Sequence, residues 1–124
     1  MSARVYYHLS PIKGMSRLYP HWTDPEHSSP VEAKAQRICV SSSIIGCLRS
    51  IHPVDGEHLC VYSVIVDNDI QFIPNKYVQM LVPDADRTKE SWVMQDILCL
   101  EEGEIEVTDS SPDNPKWRWL WKRR

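Results

Sequence analysis

The sequence predicts a single α+β domain, mostly β, and two patterns carry that expectation. Several short stretches rich in Val, Ile, Tyr and Cys read as strands; one of them, Leu59 to Val66, is apolar on both faces, as a central strand is. One stretch, Ile44 to Ile51, places Ile44, Ile45, Leu48 and Ile51 at helical spacing on one face. The 124 residues fit one domain, 1–124, with little room for a second.

Taken in order, Arg4 to Ser10 reads as a strand because Val5, Tyr6 and Tyr7 favour β structure and Pro11 stops it. Ile12 to Pro30 is rich in Pro, Gly, Ser and His and reads as a long ordered loop. Val31 to Gln36 reads as a short helical turn, and Ile38 to Val40 as a brief buried strand. Ser41, Ser42 or Ser43 then caps the helix, which His52-Pro53 ends. After Leu59 to Val66, Asp67-Asn68-Asp69 marks a turn. Ile70 to Ile73 and Tyr77 to Val82 are short strand candidates, and Pro83 to Lys89 is a polar loop. Ser91 to Leu100 reads as a long strand with Glu90 at its mouth. Glu104 to Thr108 alternates and pairs with it through a turn at Glu102-Gly103.

Composition narrows the function classes. Hydrophobic residues make up 42% and charged residues 25%, the values of an ordinary soluble protein, and the net charge of −3 gives no global pull towards nucleic acid. No apolar run reaches the roughly 18 residues that cross a bilayer, so no membrane partner is expected. The first residues lack the apolar core of a signal peptide, and a cytoplasmic protein is the expectation. Cys39, Cys47, Cys60 and Cys99 each sit in an apolar stretch without close spacing. They read as buried small hydrophobes rather than metal ligands, and no metal is expected.

The final segment, 115–124, forms a Trp/Lys/Arg-rich strand or tail. Trp117, Trp119 and Trp121 recur every second residue. In a strand they share one face, with Lys116, Arg118, Leu120 and Lys122 on the other. The bland reading has the tryptophans covering the core. The sharper one is a nucleic-acid surface built from Lys116, Trp117, Arg118, Trp119, Trp121 and Lys122, in which rings stack on bases and cations meet phosphate.

Three strand-like segments each present polar groups. Tyr6, His8 and Ser10 point to one side of the first; such a histidine exchanges a hydrogen bond with a ligand hydroxyl while a tyrosine offers a flat ring. Ser41, Ser42 and Ser43 stand at a strand-to-helix corner, whose hydroxyls and N–H groups cap the helix or meet a ribose or phosphate. Glu90 opens the third; it is a solvated surface acid unless a cleft encloses it, where it would stabilise a cationic transition state.

The order of these segments resembles that of ADP-ribosyltransferase-like proteins, small bacterial and phage members among them. Tyr6-Tyr7-His8-Leu9-Ser10-Pro11 is similar to the opening strand of rifampin-modifying transferases and RNA 2′-phosphotransferases. Arg37-Ile38-Cys39-Val40-Ser41-Ser42-Ser43 resembles the second motif. Lys89-Glu90-Ser91-Trp92-Val93-Met94 resembles the third motif of DNA-modifying transferase toxins. The resemblance runs from Tyr6 to about Leu100. It implies a split-sheet architecture with NAD bound as substrate between two small sheets. Glu90 and His8 would be the catalytic pair, with Tyr6, His8, Ser10, Arg37, Ser41, Ser42 and Ser43 binding NAD, and Glu90 stabilising the oxocarbenium-like state as nicotinamide leaves. Arg37, Tyr19 or Trp22 would replace the ring or cation that many relatives carry near the second motif. The acid pair of arginine-specific transferases is absent, since Ser91 and Trp92 follow Glu90.

The expected function is NAD-dependent ADP-ribosyl transfer to a protein, nucleic-acid or small-molecule acceptor. It requires His8 and Glu90 to face one cleft. The rivals are a non-enzymatic phage or mobile-element accessory protein that binds a nucleotide or blocks a host protein, and a nucleic-acid-binding domain built on the C-terminal strand.

Overall fold

A seven-stranded antiparallel sheet, with strands in the order β5-β6-β3-β1-β4-β8-β9, organises the computed structural model, which describes residues 3–21 and 36–124. The strands are β1 (Arg4–Ser10), β3 (Ile38–Ser41), β4 (His58–Val66), β5 (Phe72–Ile73), β6 (Glu90–Val93), β8 (Leu100–Asp109) and β9 (Lys116–Lys122). A two-stranded ribbon, β2 (Arg17–Leu18) with β7 (Ile97–Leu98), lies apart from the sheet's ladder. The helices are α1 (Ile44–Ile51), α2 (Asn75–Val78) and α3 (Ala85–Thr88). The chain is thus α+β and mostly β, as its patterning predicts.

Side-chain alternation sorts the core into layers. On one face, Leu9, Leu59, Val61, Ile105 and Val107 pack with Cys47 and Leu48 of α1. Farther along that face, Trp92 packs with Val78, Val82 and Ala85 of the α2–α3 region. On the other face, Ile38, Val40, Val64, Val66 and Val93 are covered by Leu18 and Ile97 of the ribbon. Tyr62 ties down the chain between β1 and β2: its hydroxyl donates to the Ile12 carbonyl at 2.6 Å and accepts from the Met15 N–H at 3.3 Å.

Helix α1 starts where the serines predict. Ser43 is its N-cap, its hydroxyl accepting from the Gly46 N–H at 3.1 Å, and His52 ends it in the left-handed conformation. Four other expectations are corrected. Tyr77 to Val82 is not a strand: α2 ends within it at Val78, the Val82 N–H donates to the Val78 carbonyl at 2.8 Å in a further helical turn, and both valines join the buried cluster of Trp92. Pro83 to Lys89 contains α3, whose Ala85 and Thr88 are buried three residues apart. The long strand from Ser91 to Leu100 breaks after Val93. The Gln95 side chain accepts the Gln71 N–H at 2.8 Å, and the chain leaves β6 to build the ribbon. Glu102-Gly103 is a bulge inside β8 rather than a turn, with Val61 opposite Gly103 and Tyr62 opposite Glu101. Of the expected loop and helical turn ahead of β3, residues 22–35, Trp22 included, lie outside the described residues.

The C-terminal segment pairs with β8 as an edge strand, but its tryptophans do not share a face. Trp119 is opposite Ile105 and Trp121 is opposite Glu104, so Leu120 is an extra residue that flips the alternation. Trp117 and Trp119 pack on the core beside Ile105 and Val107, while Trp121 stays exposed and donates to Glu104 Oε1 at 3.2 Å. Gly103 makes room for this: a Cβ there would lie 2.7 Å from Trp119 Cζ3. Trp119→Ala is therefore expected to cost about 2–3 kcal/mol in urea unfolding, and Trp121→Ala less than about 1 kcal/mol. Equal losses would contradict the bulge.

Candidate functional site

The centre of the sheet is its weakest junction. Strands β3 and β6 share four register pairs and β1 and β4 share seven, whereas β1 meets β3 at one, Tyr7 opposite Ser41. Beyond that pair the strands part. A cleft of about 520 Å³ opens there, within the usual range of small-molecule sites. Its walls come from His8 and Ser10 of β1, Cys39 and Ser41 of β3, Ser50 and Ile51 of α1, and Thr88 and Glu90.

Glu90 is only 5% exposed. Its backbone is fixed from both sides: its carbonyl accepts from Asn75 Nδ2 at 2.6 Å, and its N–H donates to Thr88 Oγ1 at 3.3 Å. Its Oε2 accepts from the Trp92 indole N–H at 2.6 Å and from the Cys39 thiol at 3.3 Å. Burial, and after it the negative charge of Glu90, pushes the Cys39 thiol above its ordinary range, which keeps it a donor. The Arg37 guanidinium lies 4.4 Å from the Trp92 ring centroid, so a cation backs the ring that holds the carboxylate.

Strand alternation alone would separate His8 from Glu90, since Tyr7, Ser41 and Glu90 lie in register on one face and His8 follows Tyr7. The parting of β1 and β3 lets one cleft touch both. His8 spans the gap, its Nδ1–H donating to the Cys39 carbonyl at 2.9 Å. A carbonyl only accepts, so that bond fixes the proton on Nδ1 and leaves Nε2 as an acceptor in the neutral ring. Burial lowers the pKa of His8 below its ordinary 6.5; the Cys39 bond opposes the shift, and the charge of His21 adds to it.

That shift has a sign in stability. The unfolded chain binds this proton near pH 6.5 and the folded chain resists it. The stability contributed is fully present above 6.5 and is lost as the pH falls from there through the lowered folded value. Thermal melts between pH 7.5 and 5 are expected to fall less steeply for His8→Gln than for the wild type. Parallel curves would remove His8 as the cause.

The other expected site residues divide. Ser10 and Ser41 line the cleft, although the Ser41 hydroxyl donates to the Thr88 carbonyl at 2.9 Å. Ser43 serves the helix as its cap. Tyr6 and Ser42 line a separate groove on the ribbon face. Arg37 is buried, lies over Trp92 and acts directly on the Cys39 thiol, and Tyr19 is exposed outside the cleft lining. Trp92, Cys39 and Thr88 were not among the expected site residues. The Glu-x-Trp spacing carries the signal for one of them, because residues two apart on a strand share a face. Among the described residues no cluster of His, Cys, Asp or Glu is arranged to hold a metal.

The C-terminal rings and cations divide between the core and the acids of β8. Trp117 and Trp119 face the core, and the cations sit against acids of β8: Arg118 meets Glu106 at 2.5 Å and Arg123 meets Glu102 at 3.0 Å. Lys116 is exposed, and Lys122 Nζ lies 5.2 Å from the Trp119 ring centroid. No helix among the described residues is long and apolar enough to cross a membrane. Neither a family model, nor a curated protein, nor a solved structure matches the chain.

Proposed function

We propose that the cleft at the β1–β3 junction binds NAD and carries out ADP-ribosyl transfer. One observation supports this above the rest: His8, Ser10, Ser41 and Glu90, from three distant segments, line a single cavity. In this reading Nε2 of His8 accepts a hydrogen bond from a ribose hydroxyl. The Glu90 carboxylate, held by Trp92 and Cys39, faces the ribose carbon from which nicotinamide departs. Its negative charge, on a carboxylate that is itself buried, stabilises the oxocarbenium-like state. The acceptor, a nucleophile on a protein, nucleic acid or small molecule, then forms the new bond to that carbon. Positioning and charge carry the catalysis, with no metal in the scheme.

Purified protein incubated with NAD and a bacterial lysate is expected to release nicotinamide and leave an ADP-ribose adduct visible by mass spectrometry. A protein that shows neither turnover nor NAD binding by calorimetry lies outside this reading. One observation favours a second reading, nucleotide capture without turnover: both Glu90 Oε2 and the Ser41 hydroxyl proton are already engaged by the protein. Binding without nicotinamide release is its signature.

A further inference from the structure

On the ribbon face of the same strands lies a groove of about 700 Å³, formed by the start of β1, the β4–β5 turn, β5 and the approach to β6. We infer that this groove binds a nucleotide unit, its phosphate on the cations and its base on the aromatic pair.

Charge is the first support. Arg4, Lys76 and Lys89 line the groove against one acid, Asp67, whereas the whole chain carries −3. The groove therefore concentrates positive charge on a protein that has none to spare. Asp67 is also turned to its own loop, where Oδ1 accepts the Asp69 N–H at 2.9 Å. Partly enclosed rings are the second support. Tyr6 and Phe72 line the groove with centroids 5.0 Å apart and planes tilted by 46°. A tilted pair of this kind offers a ring face to a base, and stacking of that sort accepts any base.

The third support is conformational. Lys89 caps α3 with φ +56°, a left-handed position that glycine or asparagine fills with less strain. The chain instead places an exposed lysine there, among the residues that line the groove. The inference does not depend on NAD turnover, because the cleft and the groove share none of their lining residues.

Two probes test it: AMP, and a single-stranded deoxythymidylate of six residues. Both are titrated into labelled protein and followed by amide chemical shifts at low and moderate salt. Shifts are expected at Arg4, Phe72, Lys89 and Ser91, with affinity falling as salt rises. Lys89→Gly is expected to weaken binding roughly tenfold, the effect of one charge-assisted hydrogen bond, while leaving the unfolding midpoint equal or higher. Arg4→Gln is expected to weaken binding similarly, and Glu90→Gln to leave it unchanged. Binding of AMP points to a free nucleotide; binding of the oligomer alone points to single-stranded nucleic acid. The inference is overturned by failure of both probes to bind, by shifts confined to His8, Ser50 and Ile51, or by a Lys89→Gly protein of undiminished affinity.

Discussion

Glu90→Gln is expected to lower nicotinamide release at least about a hundredfold while moving the unfolding midpoint little. The amide has the shape of the acid and keeps an oxygen for the Trp92 indole N–H, now 2.6 Å from Oε2. The backbone bonds from Asn75 and to Thr88 do not involve the side chain and remain. What disappears is the negative charge facing the reacting ribose. An interaction made chiefly in the transition state reduces kcat and kcat/KM together and changes NAD binding less. Loss of NAD binding with release per bound NAD unchanged would make Glu90 a ligand-holding residue. Unchanged turnover would remove it from the chemistry altogether.

Gly46→Ala is expected to destabilise the protein by about 2–4 kcal/mol, against the usual sign for this substitution. In an exposed helix interior, alanine gains up to about 1 kcal/mol over glycine. Gly46, however, lies where α1 presses on the ends of β3 and α3. A Cβ there would fall well inside contact distance of both Ser41 Oγ and the Thr88 carbonyl oxygen. The first neighbour is a side chain and can move. The second is backbone and cannot move without shifting α3, and the 2.9 Å bond between the two would be disturbed. Urea unfolding measures the loss. Adding Ser41→Ala removes one of the two collisions, so the double variant is expected to recover part of the loss relative to the sum of the single changes. A Gly46→Ala protein as stable as the wild type would mean that α1 packs less closely than described. Since Ser41 and Thr88 also line the cleft, the substitution is expected to weaken any ligand bound there.

The parts of the fold set by local chemistry were legible in the sequence. The Ser43 cap, the helical turn of α1, the doubly buried β4 and the stop at Pro11 each follow from a few adjacent residues, although α1 buries Gly46, Cys47 and Leu48 and leaves Ile51 of the expected stripe exposed. What escaped was set by distant partners. Tyr77 to Val82 reads as a strand, and only the distant Trp92 supplies the buried cluster that Val78 and Val82 join. The break after Val93 exists because Ile97 and Leu98 pair with Leu18 and Arg17, far earlier in the chain. The bulges at Glu102 and Leu120 are registers between strands, and one inserted residue sends Trp121 to the other face. At the site, the three polar segments pointed to His8, Ser41 and Glu90, which the structure brings to one cavity. Tyr6 went elsewhere although it shares a strand face with His8. The cleft exists where strands separate, and alternation along one strand says nothing about where its neighbour leaves it.

The lone register pair at Tyr7 and Ser41 makes the middle of the sheet a seam. On either side the ladders are continuous, β5-β6-β3 in one half and β1-β4-β8-β9 in the other. Opening the seam breaks few backbone bonds and leaves both ladders whole. Helix α1, touching β1 and β3 together, is then the strap across it. Amide hydrogens along this line are expected to exchange with solvent through a partial opening, before those of β4 and β8, which wait for the whole molecule to unfold. A ligand seated in the cleft would clamp both halves at once, and its binding would be read most sensitively as slowed exchange along that line.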